Sequence, residues 1–546
     1  MLSDPRERYW RTVDAALARP EQRAALAREF PELADLPPNA VGRRDFVRLL
    51  GASLALAGLN GCVRRPRDPI LAYVGHPAVS EPTVTRHYAT SMTLDGYATG
   101  LLVESHTGRP TKIEGNPDHP ASLGAAGVFE QASLLGLYDP HRARTVRASG
   151  RRSSWAALQS ALAEELVRRT AGSRGAGLHL LLEPTASPLL LGLLARVRER
   201  YPDCRVHWDA PLAADGMRRG TTTVFGRALQ PVYDFAAADV VLALDADFLG
   251  SVPFGLRYAH DFATRRRIAS AADGMSRLYV IETAPSITGG IADHRLRARP
   301  SEIPGLLSAV ASHIAAAAPG TVLGNARGDG QTAEAGDREG GHEHAWLQAV
   351  AEDLGAYRGR CAVVAGERQP PAVHALAHLL NLSLGAVGHT VRYIEPPLPA
   401  REPDTGLTRL ADAMQARDVG WLVVLEGNPI YTAPVDLELA ARMAQVPNTV
   451  YLGLYRNETA RASRWFVPAR HYLESWGDGR AWDGTASLVQ PLVEPLFDGH
   501  GAVELLAALA GDARAPLALL RADWESRLGG RRAGGPQWSE VLQRGV

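Results

Sequence analysis

Short apolar runs alternate with amphipathic segments along most of the chain. The apolar runs are typical of strands buried on both faces. They cover residues 178–182, 206–208, 239–245, 278–282, 361–365, 421–425 and 449–452. Between them, residues 155–169, 188–201, 346–354 and 372–384 carry apolar positions at helical spacing. Strands that alternate with helices predict an α/β fold with doubly wound parallel sheets.

A different pattern precedes these runs. A strand from Leu101 to Glu104, a turn at His106-Thr107-Gly108 and a return strand through Ile113 predict a β-hairpin. The loop at residues 115–120, with two prolines, follows, and then a helical segment that ends near Leu137. We therefore expect a small β-rich domain before the α/β region.

The sequence predicts six parts. These are an N-terminal extension (1–41), an export signal (42–66), the β-rich domain (67–150), an α/β domain (151–319), a flexible linker or loop (320–345) and a second α/β domain (346–546) that packs with part of 151–180. A chain of 546 residues is long enough for this many units.

Charge and cysteine content exclude several function classes. Lys+Arg and Asp+Glu balance at 59 each, so nothing predicts a nucleic-acid partner. The three cysteines, Cys62, Cys204 and Cys361, are too far apart in sequence to suggest a disulfide framework or a metal motif. His342 and His344, in the Gly-rich linker, suggest zinc only weakly; solvent-exposed histidines are the simpler interpretation.

An export signal is predicted near the N-terminus. Arg43 and Arg44, followed by Phe46 and an apolar run at residues 49–59, are the layout of a twin-arginine signal. The run is shorter than the roughly 20 residues that span a bilayer, and its alternative is a buried amphipathic helix. Cys62 ends a possible lipoprotein box, or is an unmodified cysteine. The predicted location is periplasmic and membrane-associated.

The stretch from Gly100 to Arg142 resembles a known family. Its G-N-P-x-H-P-x-S-x-G motif and Tyr-Asp-Pro-x-Arg ending are similar to the N-terminal domain of the molybdopterin bis-guanine-dinucleotide (DMSO reductase) oxidoreductases. Catalytic members place three cysteines before the hairpin and a fourth after the motif. Here residues 68–100 hold no cysteine, and residues 125–130 read AAGVFE. An iron–sulfur cluster needs thiolates, so none is expected.

The resemblance also implies where a cofactor would lie. The expected outcome is that no cofactor is bound; the alternative is molybdopterin guanine dinucleotide. If a pterin binds, the implied contacts are Asn116, His119, Asp245, Thr283, Asn428 and Gln490. Asp215, with Asp209 nearby, lies where relatives carry the metal ligand, but a solvated loop aspartate is the preferred interpretation.

A second resemblance is narrower. The run His471-Tyr-Leu-Glu-Ser-Trp-Gly-Asp478 looks like the molybdopterin-like subunit of alternative complex III, a bacterial quinol:cytochrome c oxidoreductase. His471, Glu474 and Asp478 form either a ligand or proton-relay face or, as we prefer, a structural polar network. The resemblance covers about residues 40–546.

Together these observations predict a non-catalytic scaffold subunit of a membrane-associated quinol-oxidising respiratory complex. The family's chain usually continues with a ferredoxin-like domain, and none follows Trp538. The implied partners are therefore an iron–sulfur ferredoxin-like subunit, a multihaem cytochrome c subunit and an integral membrane quinol-oxidising subunit. The alternatives are a catalytic molybdopterin-dependent oxidoreductase and a periplasmic lipoprotein binding module.

Overall fold

The structure is a computed structural model that describes most of the chain after residue 84. The described ranges are 85–166, 174–209, 215–250, 254–270, 274–317, 341–399, 406–528 and 538–546. Arg43, Arg44, Phe46 and Cys62 lie outside them, as do the extension and most of the predicted linker. The predictions of export and lipidation therefore stay predictions.

Strands and helices alternate as the sequence pattern predicts. The strands are β1 (Arg86–Leu94), β2 (Tyr97–His106), β3 (Arg109–Gly115), β4 (Arg147–Ala148), β5 (Arg151–Arg152), β6 (Leu178–Leu182), β7 (Arg205–Trp208), β8 (Gln230–Tyr233), β9 (Val240–Leu244), β10 (Arg277–Glu282), β11 (His294–Arg297), β12 (Cys361–Ala365), β13 (Val391–Ile394), β14 (Trp421–Leu425), β15 (Asn448–Gly453), β16 (Trp465–Pro468), β17 (Gly477–Arg480) and β18 (Ala486–Val489).

The helices connect and cover these strands. They are α1 (Val128–Tyr138), α2 (Trp155–Ala161, continued by a π-helical turn), α3 (Pro188–Arg200), α4 (Asp215–Phe225), α5 (Gly255–Arg265), α6 (Ile287–Gly290), α7 (Ile303–Ala317), α8 (Gly341–Ala356), α9 (Pro371–Ser383), α10 (Leu407–Gln415), α11 (Pro429–Thr432), α12 (Leu439–Met443), α13 (Glu458–Ala462), α14 (Ala502–Ala510), α15 (Pro516–Leu528) and α16 (Trp538–Arg544).

The small N-terminal domain is an antiparallel sheet in the order β1-β2-β3. The predicted hairpin is β2 and β3, and its turn places Thr107 and Gly108 at positive φ, as a two-residue hairpin turn requires. Strand β1, which was not predicted, pairs with β2 through a second turn of the same kind at Asp95 and Gly96.

A large sheet forms the main core in the order β5-β4-β16-β15-β14-β6-β7. Strands β16 to β7 are parallel, whereas β4 and β5 extend the edge in antiparallel fashion. Every residue of β6 and β14 is buried, because helices cover both faces. Burial on both faces of the sheet thus explains why these two strands are apolar runs and not alternating patterns.

A smaller parallel sheet has the order β11-β10-β9-β12. It combines strands from both predicted α/β domains, and so does the large sheet, where β6 and β7 join β14 to β16. The two sheets therefore do not divide at the predicted linker, residues 320–345. An apolar run shows that a strand is buried but not which equally apolar strand lies beside it, so the sequence does not predict which strands share a sheet.

Two local expectations need correction. Helix α8 begins at Gly341, so His342 and His344 lie in its first turn and not in a loop; His344 contacts the ring of His313 at 5.2 Å between ring centroids. Asp215 is the first residue of α4 and not a loop residue. In the described ranges no group of three metal-ligating side chains could hold an ion, and no helix is long and apolar enough to cross a membrane.

Candidate functional site

A cavity of about 1350 Å³ lies between the carboxyl ends of the two parallel sheets. Its wall includes residues that directly follow β6, β9, β12 and β14. Doubly wound sheets bind ligands at this edge, where the strand order changes direction. The cavity is therefore the candidate functional site.

Each sheet has one such switch point, and acidic residues flank both. In the large sheet it lies between β6 and β14, which are followed by Glu183 and Glu426. Asp209 follows the neighbouring strand β7, and its backbone N–H donates to the Leu182 carbonyl at 2.8 Å. In the small sheet the switch point lies between β9 and β12, and Asp245 and Glu367 stand beside it.

Asp245 and Glu426 adopt the same unusual backbone conformation. Their φ angles are 49° and 62°, in the left-handed region that non-glycine residues rarely occupy. Each N–H continues its sheet's ladder, from Asp245 to the Ile281 carbonyl at 2.6 Å and from Glu426 to the Leu452 carbonyl at 2.9 Å. This conformation costs about 1 kcal/mol for each residue, so the surrounding sheets hold these two turns in place.

The N-terminal sheet brings a further carboxylate to the cavity. Asp95 is at the tip of the β1–β2 hairpin, and Gly96 beside it accepts a hydrogen bond from the Ala186 N–H at 2.9 Å. A Cβ at Gly96 would lie 2.4 Å from the Pro184 carbonyl oxygen. The hairpin tip therefore packs tightly on the loop that follows β6.

Desolvation inside the cavity and mutual repulsion raise the pKa of these carboxyls, although Glu183, Glu367 and Glu426 are exposed to the cavity and Asp209 is the buried residue among them. The pKa of Glu183 is raised to about 7, first by desolvation and then by repulsion from Glu426, Asp209 and Asp95. Desolvation also raises the pKa of Glu426 and that of Asp209. The pKa of Glu367 is raised by desolvation and by the charge of Asp95, against the opposing effect of Arg368.

Cationic side chains are few along the cavity wall. Ten carboxylic residues and three arginines are among its lining residues, so the wall is strongly acidic. Arg218 donates to the backbone carbonyl of Pro399 at 2.8 Å. Arg470 donates to the Gly499 carbonyl at 2.9 Å and pairs with Glu504 at 3.1 Å. Two of the three guanidinium groups are thus engaged by the protein itself.

Three of the predicted cofactor contacts lie away from the cavity. The Asn116 amide donates to the Arg544 carbonyl at 2.6 Å. Nε2 of His119 is 2.9 Å from the Ser487 hydroxyl, and burial lowers the pKa of this histidine to about 4. The Gln490 amide donates to the Leu542 carbonyl at 3.0 Å. These side chains hold the N-terminal sheet against the C-terminal segments.

The other three predicted contacts follow strands of the parallel sheets. Asp245 lines the cavity and accepts a hydrogen bond from the Thr283 N–H at 3.1 Å. Asn428 accepts from the Thr459 hydroxyl at 2.7 Å and donates to Glu458 at 2.7 Å. Thr283 and Asn428 are not among the lining residues. Of the six predicted contacts, the structure thus places Asp245 at the cavity.

Backbone donors at the end of the small sheet are already occupied. Oδ1 of Asp247 accepts from the N–H and the hydroxyl of Thr288, at 2.9 and 2.7 Å. The Gly289 N–H donates to the Ser286 hydroxyl at 2.9 Å, and Ser286 donates to Glu282 at 2.6 Å. The amides of Thr288 and Gly289, which could bind a phosphate in such a loop, are therefore used within the chain.

His471, Glu474 and Asp478, for which the sequence analysis preferred a structural polar network, are hydrogen-bonded within the chain, and His471 and Asp478 also line the cavity. Glu474 forms a buried bidentate pair with Arg142, at 3.0 and 2.5 Å, and the two side chains are 1% and 2% exposed. Nε2 of His471 is 3.0 Å from the Ser133 carbonyl.

Asp478 ties β17 to two helices. Its carboxylate accepts hydrogen bonds from the Ser187 hydroxyl at 2.5 Å and from the Trp524 indole at 3.0 Å. Burial raises its pKa. The His471 N–H donates to the Glu474 carboxylate at 2.9 Å, whereas Asp478 bonds to Ser187 and Trp524.

Sequence reasoning did not single out Glu183, Glu426, Glu367 or Asp95. A signal existed, because Glu183 and Glu426 each directly follow a five-residue apolar run. Asp209 was noted only as a neighbour of Asp215. Without the strand order, nothing in the sequence showed that these acids share one cavity.

Comparisons with known proteins agree with this fold. No protein-family model matches the chain. It is 24% identical over 466 residues to the "Menaquinone reductase, molybdopterin-binding-like subunit" of Nitratidesulfovibrio vulgaris, a match that covers 79% of this chain and 64% of that protein. The chain thus spans slightly less than two thirds of its relative's length.

A solved structure is similar as well. Acetylene hydratase from Pelobacter acetylenicus superposes with a TM-score of 0.58 at 13% sequence identity, over 83% of this chain and 73% of that chain. The predicted fold class is confirmed: parallel α/β sheets with a small N-terminal β domain, an arrangement that the chain shares with this solved structure.

The cavity wall does not fit a molybdopterin guanine dinucleotide. Such a ligand carries a pyrophosphate, which proteins bind with arginines, lysines and free backbone N–H groups. Here carboxylates flank both switch points, and the amides of Thr288 and Gly289 beyond β10 are occupied. In their ionised form these carboxylates repel further negative charge.

Proposed function

We propose that the chain is a non-catalytic scaffold subunit of a membrane-associated respiratory quinone oxidoreductase, without an iron–sulfur cluster or a molybdenum site of its own. The observation that carries this proposal is the pair of acidic switch points, Glu183 with Glu426 and Asp245 with Glu367. In this fold a ligand's phosphates would face these positions, and carboxylates repel them.

The cysteine content supports the same proposal. Cys204 and Cys361 are buried and separate, and desolvation raises the pKa of both thiols, that of Cys361 to about 12. A cysteine ligates a metal in its thiolate form, and such buried environments disfavour the thiolate. Electrons would therefore pass through partner subunits that carry iron–sulfur clusters and haem groups.

The respiratory role rests on the relative from Nitratidesulfovibrio vulgaris, whose name places it in a menaquinone reductase. The narrower assignment to an alternative complex III type of complex rests on the sequence from His471 to Asp478. The implied partners remain an iron–sulfur ferredoxin-like subunit, a multihaem cytochrome c subunit and an integral membrane subunit that reacts with the quinol. Twin-arginine export to the periplasm and lipidation of Cys62 complete the proposal.

A second candidate is a catalytic subunit with a bound molybdopterin cofactor. The relative's description as molybdopterin-binding-like and the shared fold favour it. The acidic cavity wall and the occupied loop amides oppose it, and we therefore rank it below the scaffold.

Purification of the tagged chain from its native membranes tests the respiratory role. We expect it to elute with haem-bearing and iron-bearing subunits and with quinone-dependent electron transfer. Mild detergent extraction followed by a high-salt wash distinguishes stable subunits from contaminants. If the chain elutes without a redox-active partner, the proposed respiratory role is wrong.

A further inference from the structure

Three carboxylic residues follow neighbouring strands at the switch point of the large sheet and line the same cavity. Glu183, Asp209 and Glu426 follow β6, β7 and β14, which are neighbours in that sheet. Within the ranges that the structure describes, none of the three forms an ion pair. Asp209 is buried, whereas Glu183 and Glu426 are exposed at the cavity wall. Like charges on neighbouring strand ends repel one another unless a cation lies between them.

Asp209 gives independent evidence that a donor is missing. Asp209 is 4% exposed and lies at the cavity wall. Oδ2 accepts a long hydrogen bond from the Thr432 hydroxyl at 3.4 Å, while Oδ1 has no partner among the residues that the structure describes. A buried carboxylate oxygen without a donor is rare in folded proteins, and a bound N–H group would satisfy it.

The chemistry favours an organic cation over a metal ion. In the described part of the chain no group of three ligating side chains is close enough to hold a metal. A guanidinium or ammonium group reaches carboxylates that are farther apart, because it presents several N–H donors. Aromatic rings also line the cavity beyond the hairpin tip: Tyr97 and Phe254 lie 5.8 Å apart and edge to face. Ring faces attract cations.

We propose that the cavity binds an organic cation through a guanidinium or ammonium group held by Glu183, Asp209 and Glu426, with Asp95 at the hairpin tip closing the site. The cavity volume of about 1350 Å³ admits a whole small amine or the end of an extended peptide segment. The source of the cation is either a free diamine or polyamine, or an arginine or lysine side chain of a partner subunit.

Isothermal titration of the isolated full chain with agmatine, which carries both groups, tests the proposal. At pH 8 and low salt we expect saturable binding that weakens at least tenfold in the Glu183→Gln/Glu426→Gln variant. Glu199→Gln, which removes an exposed carboxylate on α3, is the matched control and should bind as the natural chain does. Neutral 1,4-butanediol should not bind.

Each result of the titration supports or overturns the proposed cation site. Absence of saturable agmatine binding, or equal binding by the double variant and the control, overturns the proposal. If the double variant does not fold, agmatine binding is measured on Glu183→Gln alone. The thermal unfolding midpoint of the natural chain is also compared with agmatine and with butanediol, and only agmatine should raise it. Titration of the intact complex identifies the source: binding equal to that of the isolated chain indicates a free cation, and loss of binding indicates a partner's side chain.

This inference can fail without the proposed function failing. The scaffold proposal depends on metals and partners, whereas the cation site depends on the three carboxylates and is measured on the isolated chain. Agmatine binding together with stoichiometric molybdenum would support the site and refute the scaffold.

Discussion

Glu183 and Glu426 follow two directly paired parallel strands that end in register, with Leu182 opposite Leu425. The sheet therefore holds the two acids side by side at its switch point, where the charge of Glu426 helps to raise the pKa of Glu183. Hydrogen bonding along β6 and β14 fixes this arrangement, because neither backbone can move away without breaking the ladder.

The pH dependence of stability should report this repulsion. The pKa of Glu183 rises from an ordinary 4.5 to about 7 on folding. Between these values the folded protein keeps a proton that the unfolded chain has released, so stability falls as pH rises through this window. We expect Glu183→Gln to remove part of this loss, about 1 kcal/mol once screening by cavity water is allowed for.

Urea unfolding at pH 5 and pH 8.5 measures the effect, with Glu199→Gln as the control. The variant should gain stability relative to the natural chain at pH 8.5 and little at pH 5. An identical pH dependence in both proteins would mean that Glu183 does not carry the raised pKa.

The hairpin tip should tolerate no added methyl group. At Gly96, φ is +82° and a Cβ would lie 2.4 Å from the Pro184 carbonyl oxygen, whereas at Gly108 φ is +79° and the surrounding space is open. Gly108→Ala should cost about 1 kcal/mol from backbone strain. Gly96→Ala should cost roughly 1 to 3 kcal/mol more, because the clash adds to the same strain. Chemical denaturation of both variants compares them directly, and equal losses would show that the tip is not packed as described.

The buried Arg142–Glu474 pair should be essential to stability. Arg142→Met leaves the Glu474 carboxylate, 1% exposed, without its partner, and we expect a loss of about 3 to 5 kcal/mol. Adding Glu474→Gln should recover much of it. The exposed pair Arg461–Glu458, 3.9 Å apart, offers a control, since Arg461→Met should change the unfolding midpoint far less. Comparable losses in both variants would contradict the role of burial.

Cysteine chemistry offers a further check. Burial raises the pKa of Cys361 to about 12 and also raises that of Cys204. We expect iodoacetamide at pH 8 to leave both thiols unmodified in the folded protein and to modify both in guanidinium chloride. Peptide mass spectrometry locates the label. Rapid modification of Cys361 in the folded state would be inconsistent with the described core.

Much of this fold was predictable from local pattern. The runs 178–182, 361–365 and 421–425 are strands with the predicted bounds, because an apolar segment of only five residues between turns has the length of a buried strand and is too short for a typical helix. Strand β1 was missed, since its polar and apolar residues do not alternate cleanly.

The site was less predictable, for a physical reason. Glu183 and Glu426 are far apart in sequence, and only the pairing of β6 with β14 brings them together. Asn116 and His119 lie in a family-like motif, yet their hydrogen bonds to Arg544 and Ser487 serve packing. Residues of a family-like motif can thus serve packing and not ligand binding. The hydrogen-bond partners of each side chain decide between these roles.

Elemental analysis for molybdenum, tungsten and iron tests the central claim most directly. The measurement is made on the chain purified from its native membranes, alone and with its co-purifying subunits. The account predicts no stoichiometric metal in the separated chain, and iron and haem in its partners. Stoichiometric molybdenum or tungsten in the separated chain would contradict the scaffold proposal and return the search for a substrate to the cavity beside Asp245 and Glu426.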